Sequence, residues 1–381
     1  MTSPASRAEP SKDKLASEPP VTVDINLFHC GQGDTILLKL LGKKWILIDC
    51  ILPHGAVRDE FFQHVSSLNI NRLELVCLTH SHDDHYTGME AVLRYFNTDG
   101  RSVGKYCVCG VEPNLIHTWM KRRNRPKSST LEYERLNKYV DELMNSKPKR
   151  IELLHADANS MPILVGDDSG EVQLLPVGPS PSESRRVFQD DFLLGSAKDK
   201  LNKLSIVLAL LVRSKKGEFS SLLAADTDAI GFRSAMDRLK IIEPTRPKPT
   251  FDFIKVAHHG SWDSHNGSGV CQHRRPEVEC VAAISAGRMR VLPDREVLKD
   301  FLNNNWTVLV TTKRVAHRTR QALELFGRNP DEHTDFQARN LRITWSEDRH
   351  MEWSPEEAKI SATEVDNYQT VRTLNLKTPP A

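Results

Sequence analysis

The chain has 381 residues, 52 Lys and Arg against 50 Asp and Glu, and a formal net charge of +2. That balance excludes a uniformly basic nucleic-acid coat, so any basic surface is local, and the length is ample for a large core in one or two domains. Seven cysteines, with no paired Cys-x-x-Cys spacing, give neither a disulfide framework nor a structural zinc motif and point to a reducing, cytoplasmic location. The first 20 residues lack an apolar signal region, and no stretch approaches the ~20 apolar residues of a membrane-spanning helix.

Taken in order, residues 1–20 are rich in Ser, Pro, Ala and charge and are predicted to be a disordered leader. The stretch "VTVDINLFHCGQGDTILLKLLGKKWILIDC" reads as an antiparallel meander of three strands, broken at "GQGD" and "GKK". Val57, Phe61, Val65 and Leu68 have helical spacing. The strand "LELVCLTH" then runs into "SHDDH". "GMEAVLRYF" is predicted helical, "KYCVCGV" a strand, and 131–145 a helix. Further strands are predicted at "IELLHA", "EVQLLPV", "LSIVLALLV", "SSLLAAD", "FIKVAH", "VAAISA", "WTVLVTT" and "LRITW", and helices at 228–240 and 294–304. Residues 178–201 read as a long loop, and the chain from 351 as a polar tail with little fixed structure past about 355. The pattern predicts packed mixed sheets covered by helices.

Three segments carry chemistry. In "THSHDDH", His80 and His82 project to one side of an extended segment, because side chains alternate. Asp84 and His85 follow where the chain enters a helix, so one loop offers two pairs of ligands to two adjacent cations. Imidazole and carboxylate suit Zn²⁺, Mn²⁺ or Fe²⁺. A solvated loop whose Asp83 or Asp84 caps the next helix is the plainer reading of any one residue; three histidines and an aspartate together favour metal. Asp226 ends the apolar strand "LLAAD", where a carboxylate is costly unless paired or coordinated, although strand-end aspartates also begin turns. "FIKVAHHGS" ends a strand in two histidines: His258 is a candidate ligand, and His259 and Ser261 are candidates to touch substrate. Lys255 is open either to a substrate hydrogen bond or to a solvated strand position.

Together these segments resemble the metallo-β-lactamase fold, and more narrowly the hydrolase domain attached to ComEC-type competence proteins. "FHCGQGDTILL", "THSHDDHYTG", "NKLSIVLAL…SSLLAAD" and "IKVAHHGS" carry the resemblance, over roughly residues 22–345. It implies an α/β fold, a metallo-β-lactamase-like αββα sandwich of two mixed β-sheets flanked by helices, with the hydrolase domain at 21–350. It also implies two divalent metal ions, zinc or manganese. His80 and His82 would hold one; Asp84, His85 and His258 the other; Asp226 would bridge them. Gln32, Gly33 and Asp34 would line the cleft floor, Asp49 would order the loops, and Asn202 and Ser205 fall where many fold members place a further histidine. Here His29 and Cys30 stand where Asp-Val is common, Cys50 replaces a usual Gly, and the third histidine of the His80/His82 site has no clear counterpart, His155 being a substitute in an unmatched context.

Paired cations can lower the pKa of a shared water and neutralise charge developing on phosphoryl or carbonyl oxygen. The expected activity is therefore hydrolysis, with Asp84, His259 and Ser261 as catalytic candidates. The resemblance implies DNA as the substrate class of a phosphodiesterase or nuclease. Locally, Lys121, Arg122, Arg123, Arg125 and Lys127 can neutralise phosphates beside Trp119, which can stack on a base, although a short basic run is also an ordinary solvated helix end. A small ester, thioester or lactam, or a non-catalytic scaffold role, are the other readings. ComEC-type proteins carry a membrane channel and this sequence shows none, so a free-standing hydrolase, working with a separate ATPase or other protein partner, is expected.

Overall fold

The computed structural model describes residues 21–365 except 31–32, 41–43, 111–126, 161, 168–169, 190–200, 246–247, 287–291, 316–334, 339 and 348–350. Strands β1 (Thr22–Leu27), β2 (Ile36–Leu40) and β3 (Lys44–Ile48) form the meander that the sequence predicts, Leu27 opposite Ile36 and Ile36 opposite Ile48. β4 (Arg72–Leu78), β5 (Ser102–Cys109) and β6 (Glu152–Ala156) continue it in parallel beyond β3. On the far side β1 pairs antiparallel with β16 (Leu341–Ser346), and β16 with β17 (Met351–Ser354), completing an eight-stranded sheet.

A seven-stranded sheet holds β7 (Leu164–Asp167), β8 (Gly170–Gly178), β9 (Val207–Arg213), β10 (Glu218–Leu223), β11 (Phe253–Lys255), β12 (Val281–Ile284) and β13 (Thr307–Val310). Here too one half is antiparallel, β7 to β10, and the other parallel, β10 to β13. β14 (Thr312–Val315) and β15 (Asp335–Ala338) make a separate pair.

The near-continuous apolar run of β9 shows why the strands are covered on both faces. Leu208, Leu210 and Val212 join a core built from both sheets. Their alternates Val207, Ala209 and Leu211 join a second core, as the two-residue period requires. That outer core is closed by α6 (Ala229–Ile242), through Phe232, Ala235, Met236 and Leu239, and by α8 (Arg295–Asn303), through Val297, Leu298 and Phe301. Helices α1 (Ala56–Ser67), α3 (Met89–Phe96) and α4 (Lys127–Met144) supply Phe61, Val65, Val92, Leu93, Phe96 and Leu136 to the core of the first sheet. The architecture is α/β, two mixed sheets flanked by helices, as expected. The short helices α2 (Asp83–Tyr86) and α7 (Trp262–His265) lie in the loops that leave β4 and β11.

Two regions differ from the sequence reading. Within the expected loop at 178–201, Pro181–Phe188 is helical (α5): Ser180 and Glu183 form a reciprocal capping box with Pro at the first turn, a signature written in "SPSE". The polar tail begins later than residue 351, because Met351–Ser354 pairs with β16 and Ile360 and Val365 are buried. No helix among the described residues is long and apolar enough to cross a membrane.

In both sheets the parallel and antiparallel halves meet beside the functional loops. Asp49 follows β3, His80–His85 follow β4, Asp226 follows β10 and His258–His259 follow β11. These are carboxyl ends of strands at a topological switch point, where a crevice opens in α/β sheets. One ion pair ties the sheets together there: Lys255 Nζ of β11 donates to Asp34 Oδ2 of the β1–β2 turn at 2.8 Å, both side chains at most 1% exposed. Replacing one partner strands the other charge in the interior. Lys255→Met is expected to lower unfolding free energy by ~3–5 kcal/mol, measured by urea unfolding. The Asp34→Leu/Lys255→Met double variant is expected to recover most of that loss.

Candidate metal centre

The site is built outward from Asp49. Its backbone is left-handed (φ 54), a strained state for a residue with a Cβ, and its amide donates to the Cys77 carbonyl at 2.8 Å, pinning the turn to β4. The buried carboxylate accepts from the Thr79 amide at 2.7 Å, the Thr79 hydroxyl at 2.6 Å and His85 Nδ1 at 2.7 Å. With its Nδ1 proton committed, His85 presents Nε2 as a lone pair. Thr79 Oγ1, having given its proton to Asp49, is left to accept from His80 Nδ1 at 3.2 Å, so His80 also presents Nε2. One carboxylate thus orients two imidazoles, the usual service of a carboxylate behind a metal ligand.

Four groups converge at one position: Asp84, His85, Asp226 and His259. His85 Nε2 lies 3.5 Å from Asp226 Oδ1 and 3.9 Å from Asp84 Oδ1; His259 Nε2 lies 3.7 Å from Asp226 Oδ1 and 3.5 Å from Asp84 Oδ2. His259 Nδ1 donates to the Ser285 carbonyl at 3.1 Å, which turns Nε2 inward. His85 Nε2, His259 Nε2 and Asp226 Oδ1 are buried without a hydrogen-bond partner, a costly arrangement if nothing joins them. Their spacing is too wide for direct hydrogen bonds and matches the roughly 3.4 Å between donors arranged tetrahedrally around an ion with ~2.1 Å bonds. The residues fit a divalent cation. In its absence they draw protons: burial disfavours imidazolium, but Asp49 and Asp226 outweigh it and raise His85 well above the ordinary histidine range, and Asp226 and Asp84 raise His259.

The other oxygen of Asp226 faces a second group. His80 Nε2 lies 4.0 Å from Asp226 Oδ2 and 2.9 Å from His82 Nδ1. His258 Nε2 approaches the same Oδ2 at 3.8 Å, its Nδ1 held by Ser264 Oγ at 3.0 Å and its Nε2 flanked by Asn202 Nδ2 at 3.4 Å. Burial lowers both His80 and His258, favouring the neutral imidazole that ligates a metal.

The structure exchanges the two histidines of "HHGS" relative to expectation: His259, not His258, joins Asp84 and His85, while His258 turns toward the His80/His82 side. The physical reason is backbone. Both residues are left-handed (φ 48 and 53), so neighbouring rings swing to opposite sides of Asp226, which sequence adjacency alone does not disclose. Lys255 and Asp34 are likewise corrected: buried against each other, they support the floor and have no surface to offer substrate. Ser261 ends the histidine turn, its amide donating to the His258 carbonyl at 2.9 Å. His155 is exposed on edge strand β6 and is not among the clustered donors. Ser205 is buried behind Asn202, its amide bonded to the Asn202 carbonyl at 3.1 Å. Asp83 accepts from Ser129 Oγ at 3.2 Å and serves as spacer. Gln32, Trp119, Lys121, Arg122, Arg123 and Arg125 lie outside the described residues, as do the side-chain surroundings of Lys127.

Sequence reasoning missed Thr79, Ser264 and Ser285, which hold ligand rings but carry no motif of their own. Gly33 earns its place by contact: with φ 152, a Cβ there would sit 2.4 Å from the Asp84 carbonyl oxygen, so only glycine lets the β1–β2 turn press against the metal loop.

Residues 30–123 match the family model of the Metallo-beta-lactamase superfamily. No curated protein matches. Among solved structures, the metallo-beta-lactamase fold protein YhfI from Bacillus subtilis is 11% identical, covering 76% of this chain and 85% of its own, with a TM-score of 0.34. The metallo-beta-lactamase GOB-18 from Elizabethkingia meningoseptica is 14% identical, covering 80% and 94%, with a TM-score of 0.32. Unliganded yeast PDE1 is 8% identical, covering 76% and 97%, with a TM-score of 0.39. The stretch 30–123, which contains Asp34, Asp49 and the whole of His80–His85, carries the sequence pattern of the metallo-β-lactamase superfamily.

Proposed function

We propose that this chain is a divalent-metal-dependent hydrolase of phosphodiester bonds, with nucleic acid as its substrate class. The observation that carries the metal reading is the set of three unpartnered buried atoms, His85 Nε2, His259 Nε2 and Asp226 Oδ1, gathered with Asp84 at ion-sized spacing. The phosphodiester reading rests on the ComEC-type motifs and on the basic run at 119–127.

Asp84, His85 and His259 would hold one cation and His80, His82 and His258 the other, with His258 in the place of the third histidine that the sequence lacks and Asp226 shared between them. Bound cations supply a low-pKa water and neutralise charge on the phosphoryl oxygens. The chain's own part is to fix this geometry. Asp49 and the Ser285 carbonyl keep the Nδ1 protons of His85 and His259 facing away from the centre. Ser264 does the same for the ring of His258. Asn202, part-exposed beside His258, offers Nδ2–H to a substrate oxygen.

Three outcomes follow. In a screen of Mn²⁺, Zn²⁺ and Mg²⁺ against single-stranded DNA, duplex DNA, RNA and cyclic nucleotides, at least one pairing gives turnover that Asp84→Ala lowers more than about a hundredfold, the rate equivalent of ~3 kcal/mol of lost transition-state stabilisation. Turnover of esters, thioesters or lactams alone would replace the substrate assignment and keep the metal centre. Asp49→Asn keeps the side-chain shape but removes the charge behind His85 and Thr79; metal affinity, measured by chelator competition, falls ~10–100-fold. Because His85 and His259 are raised above the ordinary histidine value, protons compete with the cation up to a higher pH than they would at a free imidazole. Apparent metal affinity therefore climbs as pH rises through their pKa values, and loading at pH 7 releases protons, read calorimetrically in buffers of different ionisation enthalpy.

A further inference from the structure

A second constellation of metal-binding side chains lies apart from Asp226. His265 ends α7, Cys271 lies in the 3₁₀ turn Val270–His273, and Asp300 is on α8. Their donor atoms all fall within 4.8 Å of one another. Cys271 Sγ is 3.5 Å from His265 Nε2, and Asp300 Oδ2 is 2.6 Å from the same nitrogen. Both neighbours thus compete for one ring atom. A nucleophilic relay needs its cysteine and carboxylate on opposite ring nitrogens, so this is not a catalytic triad. Three donors crowding one point is what a cation organises.

We propose that His265, Cys271 and Asp300 form a separate site for a borderline-soft divalent cation such as zinc, with its remaining position open to solvent beside Asp300. One sulfur, one nitrogen and one oxygen suit zinc and disfavour the oxygen-seeking magnesium and calcium. The S···N separation already equals the roughly 3.5 Å expected between donors of a tetrahedral zinc site. The 2.6 Å contact is that of a shared proton. A cation takes that proton's place; the ring keeps one proton, on Nδ1, and any second goes to solvent, the carboxylate draws back by less than ~1 Å to reach bonding geometry, and the Cys271 thiol gives its proton to solvent.

The surroundings permit this. His265 and Cys271 are buried, whereas the Asp300 side chain is 48% exposed and marks an entry path. Asn304 Nδ2 steadies Asp300 Oδ1 at 3.3 Å, and Trp306 Nε1 donates to the Cys271 carbonyl at 2.8 Å, fixing the turn that carries the thiol. The cation would cross-link α7, the 3₁₀ turn and α8. It would sit one residue from Ser264, which holds the ring of His258. The cation would act as a clamp on the loop behind His258 and His259, a role that does not depend on the hydrolase reading.

Cobalt substitution tests it, because no cysteine is among the donors at the Asp226 centre in the described residues. Co²⁺-loaded wild-type protein is expected to show near-ultraviolet thiolate-to-cobalt charge-transfer absorption. Cys271→Ser is expected to lose it and to hold one fewer metal equivalent per chain by elemental analysis. Asp300→Asn, a half-exposed change that keeps the fold if Cys271→Ser does not, is expected to weaken the absorbing species more than about tenfold in cobalt titrations. Absence of the absorption in wild-type protein, its survival in Cys271→Ser, or an unchanged titration in Asp300→Asn overturns the proposal and leaves a His265–Asp300 hydrogen bond with a neighbouring thiol.

Discussion

Three carboxylates, Asp34, Asp49 and Asp226, are each at most 2% exposed at the floor of one cleft, and the rest of the site follows from how each charge is met. A buried carboxylate persists only when paired, hydrogen-bonded or coordinated. Asp34 is met by Lys255 from the opposite sheet; burial alone would raise its pKa, and Lys255 with His259 reverses the sign. Asp49 is met by Thr79 and His85. Asp226 has imidazole lone pairs for company, and its Oδ1, like Asp34 Oδ1, has no hydrogen-bond partner. Asp49 is thus satisfied by hydrogen bonds on both oxygens and Asp34 by an ion pair on one, while Asp226 faces the converging imidazoles.

Asp49 links the two halves of the centre. His85 is oriented directly and His80 through Thr79, so the ligands of both positions take their tautomers from one residue. Such an arrangement couples the histidines on the two sides of Asp226 chemically. It also explains why Asp49 is held in a left-handed backbone at the end of a buried strand: the strain of one residue is offset by three hydrogen bonds that no other orientation would make together.

Much of this was legible in the sequence. Apolar runs bounded by Gly and Asp gave the strands around the site, and "THSHDDH", Asp226 and "HHGS" marked the ends where ligands would gather, because ligand chemistry is written in residue type. What the sequence withheld was direction. Which of His258 and His259 faces which oxygen of Asp226 depends on two consecutive positive φ angles, for which histidine gives no signal comparable to glycine. Lys255 reads as a strand residue beside a cleft, and only the packing of two distant sheets shows that Asp34 has claimed its charge. The helix at Pro181–Phe188 was a different kind of omission. Its Ser-Pro-Ser-Glu cap was present, but the polar segment after it lacked the apolar period that usually identifies a helix.

The paired left-handed histidines have a consequence for how the centre keeps its dimensions. Consecutive Cα atoms stand ~3.8 Å apart across a trans peptide, whereas the rings of His258 and His259 diverge to 6.2 Å between centroids. One peptide unit thus supplies a ring to each side of Asp226, His258 toward Oδ2 and His259 toward Oδ1. Distant loops that each supplied one ligand would let the spacing drift with every breath of the sheets. A dipeptide moves as one piece, so both rings shift together when the loop moves, and their spacing then rests on the side-chain torsions that Ser264 and the Ser285 carbonyl hold.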